Sequence, residues 1–229
     1  IPLELLLINN NSIKKKTYQV IKNLYKIKIF KNINIINTDD PFNYSKAINN
    51  AVFSSKYDKV LLLNNDVFIT CNNWGIEICD LLENKNFGCI GIKLLNPDNS
   101  IQHVGINLDF KYGAREITDE PMFNEKYKNI NYVKTKAVTS AFMAIRKEVF
   151  IKLGGMNEYI FPLTFNDVHL SLKAYESGLQ NLCITNLTAI HKRSSTRKLM
   201  KSKMTYNFKR RLEKVMIKIR ILYHYLKNT

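Results

Sequence analysis

The chain has 229 residues, enough for one sizeable α/β domain with its own core and too few for two of comfortable size. It contains no run of about eighteen apolar residues and no basic-then-apolar export pattern, so we expect neither a membrane span nor an export signal, and a cytoplasmic location. Four cysteines, at positions 71, 79, 89 and 183, lack paired metal-ligand spacing and are expected to stay reduced.

The positive charge is concentrated at one end of the chain. Lys and Arg number 35 against 19 acidic residues, a formal net charge of +16. Residues 192–229 hold thirteen of the basic residues and one acid, Glu213, so they carry +12 of that total. Basic charge with interspersed tyrosines also suits nucleic-acid binding, but the chain contains no recognisable nucleic-acid module. We therefore predict no nucleic-acid partner.

The first half of the chain alternates between strand and helix patterns. Strands are predicted at residues 5–8, 33–36, 59–63 and 89–92, and helices at residues 12–25, 43–53 and 73–82. Ser12 is the expected N-cap of the first helix. This alternation predicts an α/β fold with a mostly parallel, doubly wound sheet flanked by helices.

The second half is less regular. A turn signal at residues 96–99 precedes segments 100–109 and 132–145, which look extended, and residues 122–131 look like a loop. Short helices are predicted at residues 146–153 and 167–177, and each is followed by glycine.

The basic tail has the pattern of an amphipathic helix. Apolar residues recur at helical spacing at positions 208, 212, 215, 216, 219, 222, 223 and 226, with basic residues elsewhere on the wheel. Two interpretations stay open. The helix could bind an anionic membrane surface, at about 1 kcal/mol per basic side chain, or its apolar stripe could pack on the domain or on a neighbouring subunit.

Polar residues follow three apolar segments. Asp66 ends the sequence Asn64-Asn65-Asp66 after a predicted strand, Asp167 opens a predicted helix, and His191 follows the apolar run 187–190. A buried strand with an acidic end delivers a carboxylate to the sheet edge where α/β proteins bind ligands. Turn capping by Asp66, helix capping by Asp167 and simple packing of His191 are the structural alternatives.

Motifs in a fixed order connect these positions. They occupy residues 41–50, 63–66, 74, 91–95, 101–105, 139–143, 154–158, 166–168 and 191–197. In this order the chain resembles the inverting family 2 glycosyltransferases of the GT-A fold, especially bacterial members that build surface polysaccharides. The resemblance extends from Leu3 to Arg197.

The resemblance implies a GT-A domain at residues 1–197, and the remaining residues 198–229 are expected to form the basic amphipathic helical tail. It implies a metal-dependent enzyme that moves a sugar, with inversion, from a nucleoside-diphosphate donor to a glycan or lipid-linked acceptor. The expected context is surface polysaccharide or lipopolysaccharide synthesis, at the inner face of the cell membrane.

The same resemblance places residues 4–12 at the family's second strand, so the first strand and first helix are expected to be missing from this sequence. This leaves two rivals to the enzyme: a non-catalytic remnant, and a membrane-surface or protein-binding module that acts through the tail.

The resemblance also assigns individual residues. Asp167 is the expected catalytic base, and Asp66 and His191 are the expected ligands of Mg²⁺ or Mn²⁺. The expected nucleotide-sugar contacts are Asn9, Asn43, Asn64, Asn65 and Arg197; the expected acceptor contacts are His103, Glu158 and Asn166. Asn9 and Asn64 stand where the family usually has Asp. The change at Asn9 predicts an altered contact with the base of the nucleotide, and the change at Asn64 predicts weaker metal binding.

Overall fold

The computed structural model describes residues 2–38, 41–109, 113–119, 130–193 and 204–227. The strands are β1 (Leu3–Asn10), β2 (Phe30–Thr38), β3 (Lys59–Leu63), β4 (Val67–Ile69), β5 (Phe87–Leu95), β6 (Ile101–His103), β7 (Ile106–Asp109), β8 (Gly113–Glu116), β9 (Tyr132–Thr135), β10 (Phe142–Arg146) and β11 (Gln180–His191). The α-helices are α1 (Lys15–Leu24), α2 (Tyr44–Ser54), α3 (Trp74–Glu83), α4 (Lys147–Lys152), α5 (Asn166–Glu176) and α6 (Met204–Lys227).

A seven-stranded sheet forms the centre of the molecule. Its order is β3-β10-β5-β11-β4, with β6 paired to β5 and β9 paired to β11. The α/β class with flanking helices is confirmed, but the sheet is mixed rather than mostly parallel. Within it β5 and β11 pair in parallel, whereas β10 runs antiparallel to both β3 and β5. An apolar run identifies a strand without giving its direction. The sequence therefore did not predict that β10 lies between β3 and β5 and runs antiparallel to them.

The direction of β10 has a consequence for the ends of its neighbours. Because β10 is antiparallel to β3 on one side and to β5 on the other, β3, β5 and β11 all point the same way. Their carboxyl ends therefore meet at one edge of the sheet.

The first two strands form a separate parallel pair. β1 and β2 align Ile8 with Ile36, and no described residue links this pair to the central sheet by a strand ladder. Ile8 packs against the main core instead. A cavity of about 330 Å³ lies between the ends of this pair and α2, lined by Ile8, Ile36, Asn37, Thr38, Lys46, Ala47 and Asn50. Side-chain packing thus joins the pair to the rest of the described chain.

Apolar side chains cover both faces of the central sheet. One cluster joins α2, α4 and α5 through buried residues such as Val52, Phe150 and Leu170. On another cluster, α3 contributes Leu82, and Trp74 packs edge-on against Phe142 with ring centroids 5.8 Å apart. Packing against the sheet is therefore the role that the fold gives to Trp74.

The predicted start of the first helix is wrong. Asn11 adopts a left-handed conformation (φ 50°), and the Ser12 amide donates to the side chain of Asn9 at 3.3 Å. The backbone therefore makes a turn after β1, and α1 begins only at Lys15. Of the predicted loop at 122–131, only the last two residues lie within the described part of the chain.

Candidate active site

The turn after β3 brings Asp66 to the end of β11. Residues 64–66 link β3 to β4, and β4 pairs with β11 so that Val67 faces His191. The amide of Lys192 donates to the Asp66 carbonyl at 3.0 Å. As a result Asp66 Oδ1 lies 3.3 Å from His191 Nε2, with the two side chains 14% and 12% exposed. The two predicted metal ligands therefore meet.

Gln102 orients the imidazole of His191. Its Nε2 donates to Asn96 Oδ1 at 2.7 Å and to the His191 carbonyl at 3.0 Å, while its Oε1 lies 2.7 Å from His191 Nδ1. A carboxamide oxygen only accepts, so this contact requires the proton on Nδ1. The lone pair of the neutral ring is then on Nε2, the nitrogen that faces Asp66.

Asp167 lies in the first turn of α5. The residue before the helix is Phe165, in a left-handed conformation (φ 57°), so neither Asp167 nor Asn166 occupies the capping position. Asp167 Oδ2 accepts from the amide of Ser140 at 3.0 Å, and its Oδ1 accepts from Val168 N at 2.8 Å. At the start of α5, both carboxylate oxygens of Asp167 are thus held by backbone amides.

Tyr44 connects the two acidic positions. Its hydroxyl lies 3.1 Å from Ser140 Oγ and donates weakly to Asn64 Oδ1 at 3.4 Å. Burial raises the pKa of the Tyr44 phenol well above its ordinary value; the hydrogen bond between Tyr44 and Ser140 opposes this, and the charges of Asp167 and Asp66 add to it. Tyr44 is therefore a neutral donor among these groups. Sequence reasoning gave Tyr44, Ser140 and Gln102 no role, although all three lie inside the motifs.

The donor set at this edge suits a hard divalent cation. Asp66 and His191 offer one carboxylate and one imidazole, and no group of three or more His, Cys, Asp or Glu residues converges anywhere in the described ranges. Mg²⁺ and Mn²⁺ are commonly held by one or two protein ligands together with substrate phosphates and water. A closed four-ligand zinc site does not fit this pair.

The family model named Glycosyl transferase family 2 matches residues 1–154, more than half of the chain. The chain belongs to this family. The aspartate of the β3–β4 turn and Tyr44 fall within the matched part, whereas Asp167 and His191 lie beyond it.

Two curated relatives have similar sequences. The uncharacterized protein y4gI of Sinorhizobium fredii is 30% identical over 200 residues, covering 85% of this chain and 22% of the relative. The O-antigen biosynthesis protein RfbC of Myxococcus xanthus is 29% identical over 202 residues, covering 85% of this chain and 15% of the relative. The chain thus spans less than a quarter of the length of either relative.

Solved structures share the fold. GalNAc-T7 with UDP, GalNAc and Mn²⁺ has a TM-score of 0.64 at 14% identity, covering 84% of this chain and 39% of that one. The Pyrobaculum calidifontis mannosyltransferase PcManGT, with GDP-Man and Mn²⁺, has a TM-score of 0.60 at 11% identity, covering 85% and 49%. The predicted GT-A fold of this family 2 chain is confirmed.

The other residues with a predicted nucleotide-sugar contact differ in their surroundings: Asn43 and Asn9 make hydrogen bonds within the fold, whereas Asn65 lies beside Asp66. Asn43 is the N-cap of α2: its Oδ1 accepts from Lys46 N at 3.0 Å and its Nδ2 donates to the Glu158 carbonyl at 2.9 Å. Asn9 Nδ2 donates to Asn37 Oδ1 at 2.9 Å at the end of the β1–β2 pair. Asn65 is exposed beside Asp66. Arg197 lies outside the described residues.

Two predicted acceptor contacts are corrected by burial. His103 is 2% exposed; its Nδ1 lies 2.7 Å from Glu116 Oε2, and Thr139 N donates to its Nε2 at 3.4 Å. Asn166 is 3% exposed, and its Oδ1 accepts from Asp167 N at 2.9 Å. Both side chains are enclosed by contacts within the fold, and neither is exposed to contact an acceptor. Glu158 is partly exposed and stays a predicted acceptor contact.

Proposed function

We propose that the protein is a metal-dependent, inverting glycosyltransferase that uses a nucleoside-diphosphate sugar. The observation that carries the proposal is the meeting of Asp66 and His191, 3.3 Å apart, at the sheet edge, with Asp167 linked to the same edge through Ser140, Tyr44 and Asn64. A cation ligand pair and a separate carboxylate are the two functions that this chemistry needs.

Asp167 acts as the base in this proposal. Its carboxylate takes the proton of the acceptor hydroxyl as that oxygen bonds to the anomeric carbon. The bond from this carbon to the diphosphate oxygen breaks on the opposite face, which inverts the configuration. The amide of Ser140 fixes the direction of the carboxylate at the start of α5.

Asp66 and His191 would hold Mg²⁺ or Mn²⁺. The cation supplies neutralisation of the charge that builds on the departing diphosphate. Asn64 lies beside this pair and is proposed to face the ribose or a phosphate. The nucleotide and Mn²⁺ named with GalNAc-T7 and PcManGT support a nucleotide-sugar donor here as well.

The proposed acceptor is a glycan or a lipid-linked glycan in surface polysaccharide synthesis. The similarity to a relative named for O-antigen biosynthesis supports this context. We place the reaction at the inner face of the cell membrane because of the basic tail. Every helix in the described ranges is too short or too polar to cross a bilayer.

The proposal is tested by calorimetric titration with a panel of nucleoside diphosphates, with and without Mn²⁺. Wild type is expected to bind one of them in a Mn²⁺-dependent manner. Asp66→Ala should weaken this binding by about 100-fold or more, because even groups that only orient metal ligands contribute about 10- to 100-fold.

Asp167→Asn is the matched control. It should keep nucleotide binding, while release of nucleoside diphosphate from the donor sugar, with a membrane lipid extract as acceptor source, should slow by about 10²- to 10⁴-fold. A folded wild-type chain that binds no nucleoside diphosphate would contradict the proposal and favour the non-catalytic remnant. Full transfer activity in Asp167→Asn would remove Asp167 from the role of base.

A further inference from the structure

Helix α6 has one face that is docked on the domain. Glu213, Ile217 and Ile221 are 2%, 1% and 0% exposed. The two isoleucines share an apolar cluster with Val168 and Leu172 of α5. Burial of this row fixes the rotation of the helix about its own axis.

Polar contacts fix the same face. The Glu213 carboxylate accepts from Leu163 N at 3.0 Å, from Thr164 N at 2.9 Å and from the Thr164 hydroxyl. Near the other end of α6, Arg220 Nη1 donates to Glu176 Oε1 at 2.8 Å. Glu213 thus clamps the loop that leads directly into Asp167, so α6 runs beside the proposed acceptor side.

The opposite face of α6 is apolar and exposed. Phe208, Leu212, Val215, Ile219, Leu222 and Leu226 are 69%, 52%, 53%, 54%, 45% and 67% exposed; we call these six residues the outward stripe. Their spacing alternates between four and three residues, which keeps them in one row. At about 100° per residue this row lies roughly opposite Glu213, Ile217 and Ile221. A continuous exposed apolar row of this length marks an interaction surface.

The charges beside the outward stripe select its partner. Lys209, Arg211, Lys214 and Lys227 are exposed, whereas Glu213, the acid of α6, is buried. Two copies of this helix packed through their stripes would bring basic flanks together without an exposed acid on either helix to pair with them. An anionic lipid surface satisfies both features, because the stripe enters the acyl boundary while the basic side chains meet headgroups.

We propose that the outward stripe of α6 binds an anionic lipid surface, with the docked face holding the loop from Leu163 to Asp167 beside that surface. One helix diameter, about 10 Å, separates the two faces. This deepens the proposed function, on which its link to a lipid-linked acceptor rests. The lipid contact itself does not depend on transfer activity.

The test is flotation of the full chain with vesicles of phosphatidylcholine alone or with phosphatidylglycerol. Wild type should bind only the anionic vesicles. Leu212→Ser with Ile219→Ser should weaken binding by about tenfold or more, since both side chains leave the lipid. Neutralising Lys209, Arg211 and Lys214 to Gln should weaken it by about 100-fold, at roughly fivefold per charge.

The matched control is Ile76→Ser with Ile151→Ser. These residues lie on α3 and α4 and are similarly exposed, at 53% and 49%, so this variant should bind as wild type does.

Three results would overturn the proposal. One is wild type that does not float with anionic vesicles. Another is binding through charge attraction alone, shown either by equal binding of the stripe variant or by capture of the chain by polyglutamate with the same affinity. The third is a stripe-dependent dimer in light scattering without vesicle binding, which would assign the face to a second copy. Nucleotide titration of the stripe variant keeps the questions separate, because intact Mn²⁺-dependent binding leaves the proposed function standing.

Discussion

Gln102 decides which nitrogen of His191 faces the acidic end of the β3–β4 turn. It lies on β6, far from β11 in the chain, and is 6% exposed. Its amide group is fixed by Asn96 and by the His191 carbonyl, so its oxygen is directed at Nδ1. Groups that fix the tautomer of a ligand histidine also raise its basicity. Gln102 is therefore a positioning residue for the proposed cation site.

Gln102→Leu is expected to lower Mn²⁺-dependent nucleotide affinity by about 10- to 100-fold, because the ring loses the acceptor that holds its tautomer. The measurement is nucleotide titration at several Mn²⁺ concentrations. Gln102→Glu keeps an acceptor oxygen for Nδ1 but loses the two hydrogen bonds donated by Nε2, so its affinity should lie between those of wild type and Gln102→Leu. If both variants lose thermal stability alike but keep the wild-type Mn²⁺ dependence, Gln102 has a structural role only.

The sequence predicts single residues of this site unevenly. Asp66, His191 and Asp167 each follow or open a segment with a clear apolar pattern, and the fold brings them to one edge. Tyr44 and Ser140 are 96 residues apart and meet only because α2 packs beside the loop before β10. No local pattern encodes that contact. His103 shows the converse, since its motif suggested an acceptor contact and its burial is a property of the folded chain.

Elements were predictable where apolar periodicity was strong. The strand predicted at residues 59–63 has the observed bounds of β3, and the helix predicted at residues 43–53 differs from α2 by one residue at each end. Strand direction and pairing were not predictable, because β10 is placed by contacts with β3 and β5 that come from distant parts of the chain. The outward and docked faces of α6 could not be distinguished either, since both are apolar rows on one helix.

The glycine pair after α4 provides a test at the level of one element. Both residues have positive φ, 74° at Gly154 and 63° at Gly155. A Cβ on Gly154 would meet nothing within 4 Å, whereas one on Gly155 would lie 2.6 Å from Asn49 Oδ1. Asn49 is not free to move, because its side chain bonds both the carbonyl and the amide of Met156, at 2.8 and 2.9 Å.

Gly154→Ala should therefore cost about 1 kcal/mol in unfolding free energy, the price of a left-handed alanine. Gly155→Ala should cost about 1–3 kcal/mol more, because it also displaces Asn49. Chemical denaturation of the two variants side by side measures the difference. Equal losses would show that the Asn49 contact does not constrain this turn.

At the scale of the whole molecule, α5 and α6 bury titratable groups between them. Glu213 is buried against the loop before α5, and burial raises the pKa of its carboxyl against the hydrogen bonds from Leu163 and Thr164. His169 on α5 is 9% exposed and stacks on Phe161 with ring centroids 4.8 Å apart. Burial lowers the pKa of His169 to about 4, and the positive charges of Lys173 and Arg220 add to this. The stability of the packing between the domain and α6 should therefore depend on pH.

The lowered pKa of His169 predicts that the free energy of unfolding decreases in mild acid. His169 is neutral in the native state down to about pH 4, whereas in the unfolded chain it takes a proton near pH 6.5. The stability that the neutral His169 side chain contributes is complete above pH 6.5. It falls as the pH drops toward 4, by about 2 kcal/mol between pH 7.5 and 5. The raised pKa of Glu213 acts in the opposite direction, since native protonation there adds stability as the pH falls.

Comparing wild type with His169→Gln removes the Glu213 effect, because both proteins contain it. Urea unfolding at pH 7.5 and at pH 5 should show the smaller loss in His169→Gln, and parallel losses in the two proteins would mean that His169 is not held neutral in the native fold.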